Sequence, residues 1–380
     1  MGSGNEKEYL NIAWGILLSA FSVMLVLLFS LILVAGGFQQ PAIEKPRDSQ
    51  IIDDFDTLVS QVLSEAEQAA LSVKKHFWVS DDARVGPVPN PERYGYSDDP
   101  ASLQWLLDEA AELLDGQTTL FSTETRLKPR TQAQYYLDET IFAITWKQVI
   151  DNTVYTISEI KIADPSQFRR HLEDETFDGP KLSTPTKMSQ AVNAVVGSSA
   201  DHYRGRKAGI IVYDGEVKRI HREKYIDTCY IDVNGDLHFS YRGQLMDRES
   251  AQKFVDENQI QFSIAFGPIL VDNGVRCEPA TYTLGEVNER FARAALCQMG
   301  PLHYLVVTAN AEPGYQAHIT IHQFAKRVAE FGCEKAYTMD GGNTGSIVMN
   351  GKLINMTTFG YERLQGDLLY FCTAIPSYTE

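Results

Sequence analysis

Ala336–Asn355 reads AYTMDGGNTGSIVMNGKLIN, and the fold of the chain turns on how this stretch is read. Apolar and β-branched residues flank two breaks, so the pattern is strand, polar loop, strand, two-residue turn at Asn350-Gly351, and a third short strand. An Asn-Gly pair between such runs is the strongest local hairpin signal. The loop Asp340-Gly341-Gly342-Asn343-Thr344-Gly345 is unusual in holding three glycines in six residues. Glycine costs backbone entropy, so that density implies positive φ or close approach of main chain to something. Two readings are open: successive N–H groups forming a concave donor site for an anion, or a tight turn whose Asp caps its own backbone.

Working outward, the chain has 380 residues, enough for one large or two ordinary domains plus an anchor. Its net charge of -16 argues against a nucleic-acid partner, which would need a basic face. Five cysteines are too sparse for a disulfide framework and read as buried free thiols. No Cys-x-x-Cys spacing suggests a zinc site, and no cofactor or metal is expected.

Tyr9 to Gln40 carries no charge, and residues 12–38 are dominated by Leu, Val, Ile and Phe. A helix needs roughly twenty such residues to cross a bilayer, which makes residues 1–40 a single-pass anchor. A cleaved signal peptide is the competitor, but its apolar region is usually only about 7–15 residues long. The charges flanking the span are too evenly balanced to fix its orientation. Residues 51–78 place apolar side chains at helical spacing, a juxtamembrane helix that either packs on its own domain or pairs with a second copy in a homodimer. A second helix is punctuated by Asp99, Pro100 and Gly116. Gln117 to Gln134 reads as a polar linker, so residues 41–134 form a helical juxtamembrane region and the main domain is expected at 135–380.

Within that domain, hairpin turns are expected at Asp151-Asn152, Asp214-Gly215 and Asn234-Gly235. Asp164-Pro165-Ser166 predicts a short helix containing Phe168 and Leu172, and 192–196 a strand. Further helices are expected at 249–257 and from Thr320, whose capping box with Gln323 opens a helix that ends at Gly332. Strands with a few interspersed helices give an α+β domain with a mixed β-sheet and flanking helices.

Several short motifs occur in order along 135–374: YTISEIKIADPSQFRR at 155–170, FGPILVDNG at 266–274, RAALCQMG at 293–300, and FGCEKAYTMDGG leading into the glycine loop. Together they resemble the phosphodiester glycosidase family. Two positions depart from its pattern: Ser199-Ala200 precede Asp201 where the family carries Asn-Gly, and Ala309-Asn310 stand where it often has Asp-Gly.

The resemblance implies a hydrolase that cleaves a sugar 1-phosphodiester. That reaction requires stabilised positive charge at the anomeric carbon, support for the leaving phosphate, and a carboxylate. It assigns Asp340, Asp201 and Arg293 to catalysis, and Arg206 with the Gly341, Gly342, Asn343 and Thr344 main chain to the substrate phosphate. The plain alternatives are a turn cap for Asp340, a structural ion pair for Arg293, and a loop residue for Asp201. His202 is a tempting proton carrier, but a lone loop histidine is usually only solvated. The expected partner is a phosphorylated glycan or sugar-phosphate diester in a cell-surface or exported polymer, met by an extracytoplasmic domain. The rival from another class is a non-catalytic domain that binds such a polymer or organises its export, motivated by the replaced positions.

Overall fold

The computed structural model describes residues 84–97, 100–121, 133–201, 203–221, 226–245, 247–278, 289–310, 312–315 and 318–376. The expected anchor at 12–38, the juxtamembrane helix at 51–78 and His202 lie outside the described residues. Among the described residues no helix is long and apolar enough to cross a membrane.

Four antiparallel sheets dominate the described chain. The largest has nine strands: β1 Tyr94–Ser97, β2 Ala133–Leu137, β3 Ile141–Ile150, β4 Thr153–Ile162, then β15 His303–Asn310, β14 Arg293–Gly300, β16 Lys335–Met339, β12 Ile269–Asp272 and β13 Val275–Arg276, in that spatial order. β4 is buried along its whole length, as a central strand covered on both faces should be. The turn joining β3 to β4 uses positive φ at Asp151 (49°) and Asn152 (61°), the geometry whose twist matches the flanking strands. A five-stranded sheet runs β18 Lys352–Leu353, β17 Ile347–Met349, β6 Val196–Ser198, β19 Asp367–Phe371 and β5 Phe168–Leu172. Smaller sheets join β9 Thr228–Asp232 with β10 Leu237–Ser240 and β11 Ile260–Ile264, and β7 Gly209–Tyr213 with β8 Glu216–His221.

Helices are short: α1 Pro100–Glu109, α2 Ala111–Leu114, α3 Pro185–Ala191, α4 Arg248–Glu257 and α5 Ile321–Glu330. The capping box that starts α5 forms as expected, with Thr320 accepting from the Gln323 N–H and the Gln323 side chain from Thr320. Its Ile321, Phe324, Ala325 and Val328 are buried in the main core.

The structure corrects four expectations. Every strand pair among the described residues is antiparallel, so the sheet is not mixed. The helix expected over Phe168 and Leu172 is only a 3₁₀ turn at Pro165–Gln167 that leads straight into β5, because alternate side chains there are drawn into a core. Residues 192–196 are chiefly the exit from α3, with only Val196 in a strand. The domain also does not begin at 135. β1 pairs along its whole length with β2, and Leu106, Ala110, Leu114, Leu120 and Phe121 join the core. Buried Glu159 accepts the N–H groups of Leu120 and Phe121, both at 2.9 Å, so this part of the expected linker is bound to the sheet.

Candidate active site

The strand, loop, strand and hairpin read from 336–355 are β16, the glycine loop, β17 and β18, with φ of 50° and 64° at Asn350 and Gly351. The loop is therefore the crossing from the nine-stranded sheet to the five-stranded one. Two braces hold it. The Asp340 N–H donates to the Ala200 carbonyl at 2.9 Å and the Ser199 N–H to the Ser346 carbonyl at 3.2 Å, so the chain following β6 runs beside the loop. On its other side, buried Asn355 donates to the Gly345 carbonyl at 2.8 Å and accepts from the Ile347 N–H at 2.7 Å.

Close approach of main chain is what the glycines permit. A Cβ on Gly341 would stand 2.4 Å from the Ala292 carbonyl oxygen and 2.9 Å from the Arg293 Cα. Gly342 has φ of 61° and donates to that same Ala292 carbonyl at 2.9 Å. The N–H groups of Thr344 and Gly345 both turn back to the Gly341 carbonyl, at 2.9 and 3.1 Å. The wide N–H cradle expected from Gly341 to Thr344 is corrected accordingly. The amides of Gly342 and Thr344 are committed within the fold. The loop is a tight turn, with residues 340–343 half-buried.

Asp340 is the half-buried carboxylate at the head of this loop. Desolvation pushes its carboxyl up to about 6, with the neighbouring Asp201 carboxylate adding to the rise, against the Thr344 hydrogen bond and the Arg363 and Arg206 charges that pull it down. Arg206 lies with its guanidinium 4.0 Å from the centre of the Phe266 ring, a cation–π contact that fixes its position. Arg219 donates to the Arg206 carbonyl at 3.4 Å and holds the same segment. Arg363, exposed on the other flank, donates to the Thr344 hydroxyl at 3.4 Å. In a chain of net charge -16, two guanidiniums flanking one carboxylate are a local reversal of sign suited to an anionic ligand.

Two residues expected to act directly have other partners. Asp201 is fully buried: it takes a 2.9 Å ion pair from Arg170 and accepts the N–H groups of Tyr203 at 3.0 Å and Ala265 at 2.8 Å. Arg170 also holds Asp367 at 2.6 Å and donates to the Ser263 carbonyl. With those bonds made, Asp201 serves to fix the floor beside Asp340 and its field, and the expectation that it is a catalytic carboxylate is corrected on grounds of access. Arg293 begins β14 one residue before the Ala294–Met339 pair, so its backbone adjoins the glycine loop. Its guanidinium, however, donates to the main-chain carbonyls of Ile319 at 3.3 Å and Glu289 at 2.5 Å, and is 5% exposed. The main chain beside the loop is thus where Arg293 contributes. Arg363 was not among the residues expected here. It lies eighteen residues past Gly345 with no helical or strand period around it, and only the return of 355–365 to the loop brings it in.

The family model for phosphodiester glycosidases, named NAGPA, matches residues 189–372. Residues 189–372, within the β-rich domain, are thus matched to the phosphodiester glycosidase family, a glycosidase-type hydrolase family. An SPbeta prophage-derived protein of Bacillus subtilis (strain 168), YomE, is 23% identical over 197 residues, which is 51% of this chain and 30% of the relative. The chain thus spans less than a third of that curated relative's length. Among solved structures, the catalytic domain of zebrafish N-acetylglucosamine-1-phosphodiester alpha-N-acetylglucosaminidase, auto-inhibited by its pro-peptide, is similar over 61% of this chain and 82% of its own, with 16% identity and a TM-score of 0.46. A hypothetical protein from Synechocystis is similar over 61% of this chain and 62% of its own, with 12% identity and a TM-score of 0.43.

Proposed function

We propose that the domain hydrolyses a sugar 1-phosphodiester, with Asp340 as the carboxylate that activates water and Arg206 and Arg363 as the cations that receive the leaving phosphate. Water oxygen bonds to the anomeric carbon while the carbon–oxygen bond to phosphate breaks. The bonding pair goes to the phosphate oxygen, and the water proton goes to the Asp340 carboxylate. A phosphate monoester leaves readily as an anion, so electrostatic support matters more than protonation of the leaving group. The observation that carries this reading is the setting of Asp340, a half-buried carboxyl lifted to about 6 between two arginines on the family's glycine loop. A desolvated carboxylate that is still ionised at neutral pH is a stronger base than one in water.

We further propose that residues 12–38 anchor the chain in a membrane with this domain on the extracytoplasmic side, acting on a cell-surface or exported glycopolymer. The uncharged run supports the anchor and the family match supports the glycan. The juxtamembrane segment 51–78 is offered as a route to a homodimer on its apolar spacing alone. Loss of Asp201 to a buried ion pair favours the second reading, a domain that binds such a polymer without turnover. A glycosyl phosphodiester incubated with the full chain and followed by ³¹P NMR separates the two. Release of phosphate monoester that disappears in Asp340→Asn supports hydrolysis, whereas line-broadening of the diester without product supports binding alone.

A further inference from the structure

Residues 356–364 expose more apolar surface than a solvated connection has use for. Met356 is 41% exposed, Phe359 69%, Tyr361 62% and Leu364 54%. Single exposed apolar residues are ordinary, but a contiguous group rimmed by polar side chains marks a contact surface. Here the rim is the Asp340 loop. The Phe359 N–H donates to the Asn343 side-chain oxygen at 3.0 Å, and Arg363 reaches the Thr344 hydroxyl. Both ends are fastened to the same loop, by Asn355 to Gly345 and by Gln365 to the Thr344 carbonyl at 3.2 Å. The tip is closed on itself, with the Thr357 hydroxyl on the Tyr361 carbonyl at 2.7 Å and the Gly360 N–H on the Thr357 carbonyl at 3.1 Å.

Phe359 and Tyr361 stand nearly parallel within this frame, their ring centres 6.1 Å apart with 26° between planes. Both rings are exposed, and as a loosely stacked pair on a segment held by main-chain bonds they offer apolar ring faces to solvent. A pyranose presents a matching face of axial C–H bonds, with its hydroxyls directed to the edge where polar groups can take them. We propose that Phe359 and Tyr361 are the platform on which a sugar ring of the ligand stacks while Arg363 and Asn343 face its phosphate. The identity of the ligand as a sugar phosphodiester rests on the function proposed above; the sugar-binding surface itself does not require turnover. A glycan is favoured over a lipid or protein occupant because the segment is bonded repeatedly to the Asp340 loop, so whatever lies on it also lies at that loop.

The test is saturation-transfer NMR on the purified full chain with three probes: methyl glucoside, methyl glucosyl phosphate diester and dimethyl phosphate. Phe359→Ala/Tyr361→Ala should lose transfer to the glucoside ring and weaken the diester about tenfold, the loss expected for two stacking contacts, while leaving dimethyl phosphate unchanged. Both side chains are exposed, so the melting temperature should stay put, and Phe359→Tyr/Tyr361→Phe should restore ring transfer. The proposal is overturned if the alanine variant keeps wild-type diester affinity, if wild type shows no transfer to either glucosyl ring, or if the variant loses only binding to phosphatidylglycerol vesicles. Ring transfer that stays intact in Asp340→Asn supports the platform, while the turnover of that variant tests the hydrolytic reading separately.

Discussion

Asp340 and Asp201 show how two carboxylates within one neighbourhood take different roles. Asp201 is saturated by Arg170 and two N–H groups; Asp340 is only half-buried and feels Arg206 and Arg363. As a base, Asp340 must be ionised, and its carboxyl titrates at about 6. The sign follows: below pH 6 the protonated fraction grows and kcat/KM should fall about tenfold per unit, while above about pH 7 it should level off. A profile that instead declines as pH rises through 6 would make Asp340 a proton donor. Arg170 carries the opposite lesson. Its side chain is 1% exposed between Asp201 and Asp367, so Arg170→Ala strands two buried carboxylates and should cost about 3–5 kcal/mol in urea melts. Arg170→Ala with wild-type stability would mean the triad is not the floor of the site.

The glycine loop and its hairpin were legible from local sequence because each part obeys a short-range rule: Asn-Gly for the turn, runs of apolar and β-branched residues for the strands. The hairpins at Asp151-Asn152, Asp214-Gly215 and Asn234-Gly235 formed for the same reason. What failed was set by tertiary burial. The segment at Phe168–Leu172 opens with helix punctuation, yet its alternate side chains complete the five-stranded sheet and it becomes a strand. Arg363 was illegible because long-range packing alone brings it to Thr344. The loop's glycines make a prediction of their own. With 2.4 Å between a Gly341 Cβ and the Ala292 carbonyl, Gly341→Ala should destabilise by about 1–3 kcal/mol and displace Asp340, whereas Gly360→Ala at the exposed tip meets no atom within 4 Å and strains only its φ of 76°. Equal melting temperatures for wild type and Gly341→Ala would contradict the close approach.

At the scale of the molecule, the described chain is one β-rich unit whose two largest sheets meet at the loop that carries the candidate chemistry. Its beginning was misjudged as a linker because polar composition hid Leu120 and Phe121, which Glu159 and the core hold. A chain starting at 135 should therefore expose the edge of β2 and aggregate, while one starting at 84 should fold, as light scattering and near-ultraviolet circular dichroism would report. The central claim is that Asp340 directs water to a sugar carbon and the phosphate departs. Hydrolysis of a glucosyl phosphodiester in H₂¹⁸O, read by mass spectrometry, tests it most directly. The expected result is ¹⁸O in the anomeric hydroxyl of the released sugar, with turnover falling about 10²–10⁴-fold in Asp340→Asn. Label in the phosphate, or turnover indifferent to Asp340→Asn, would contradict it.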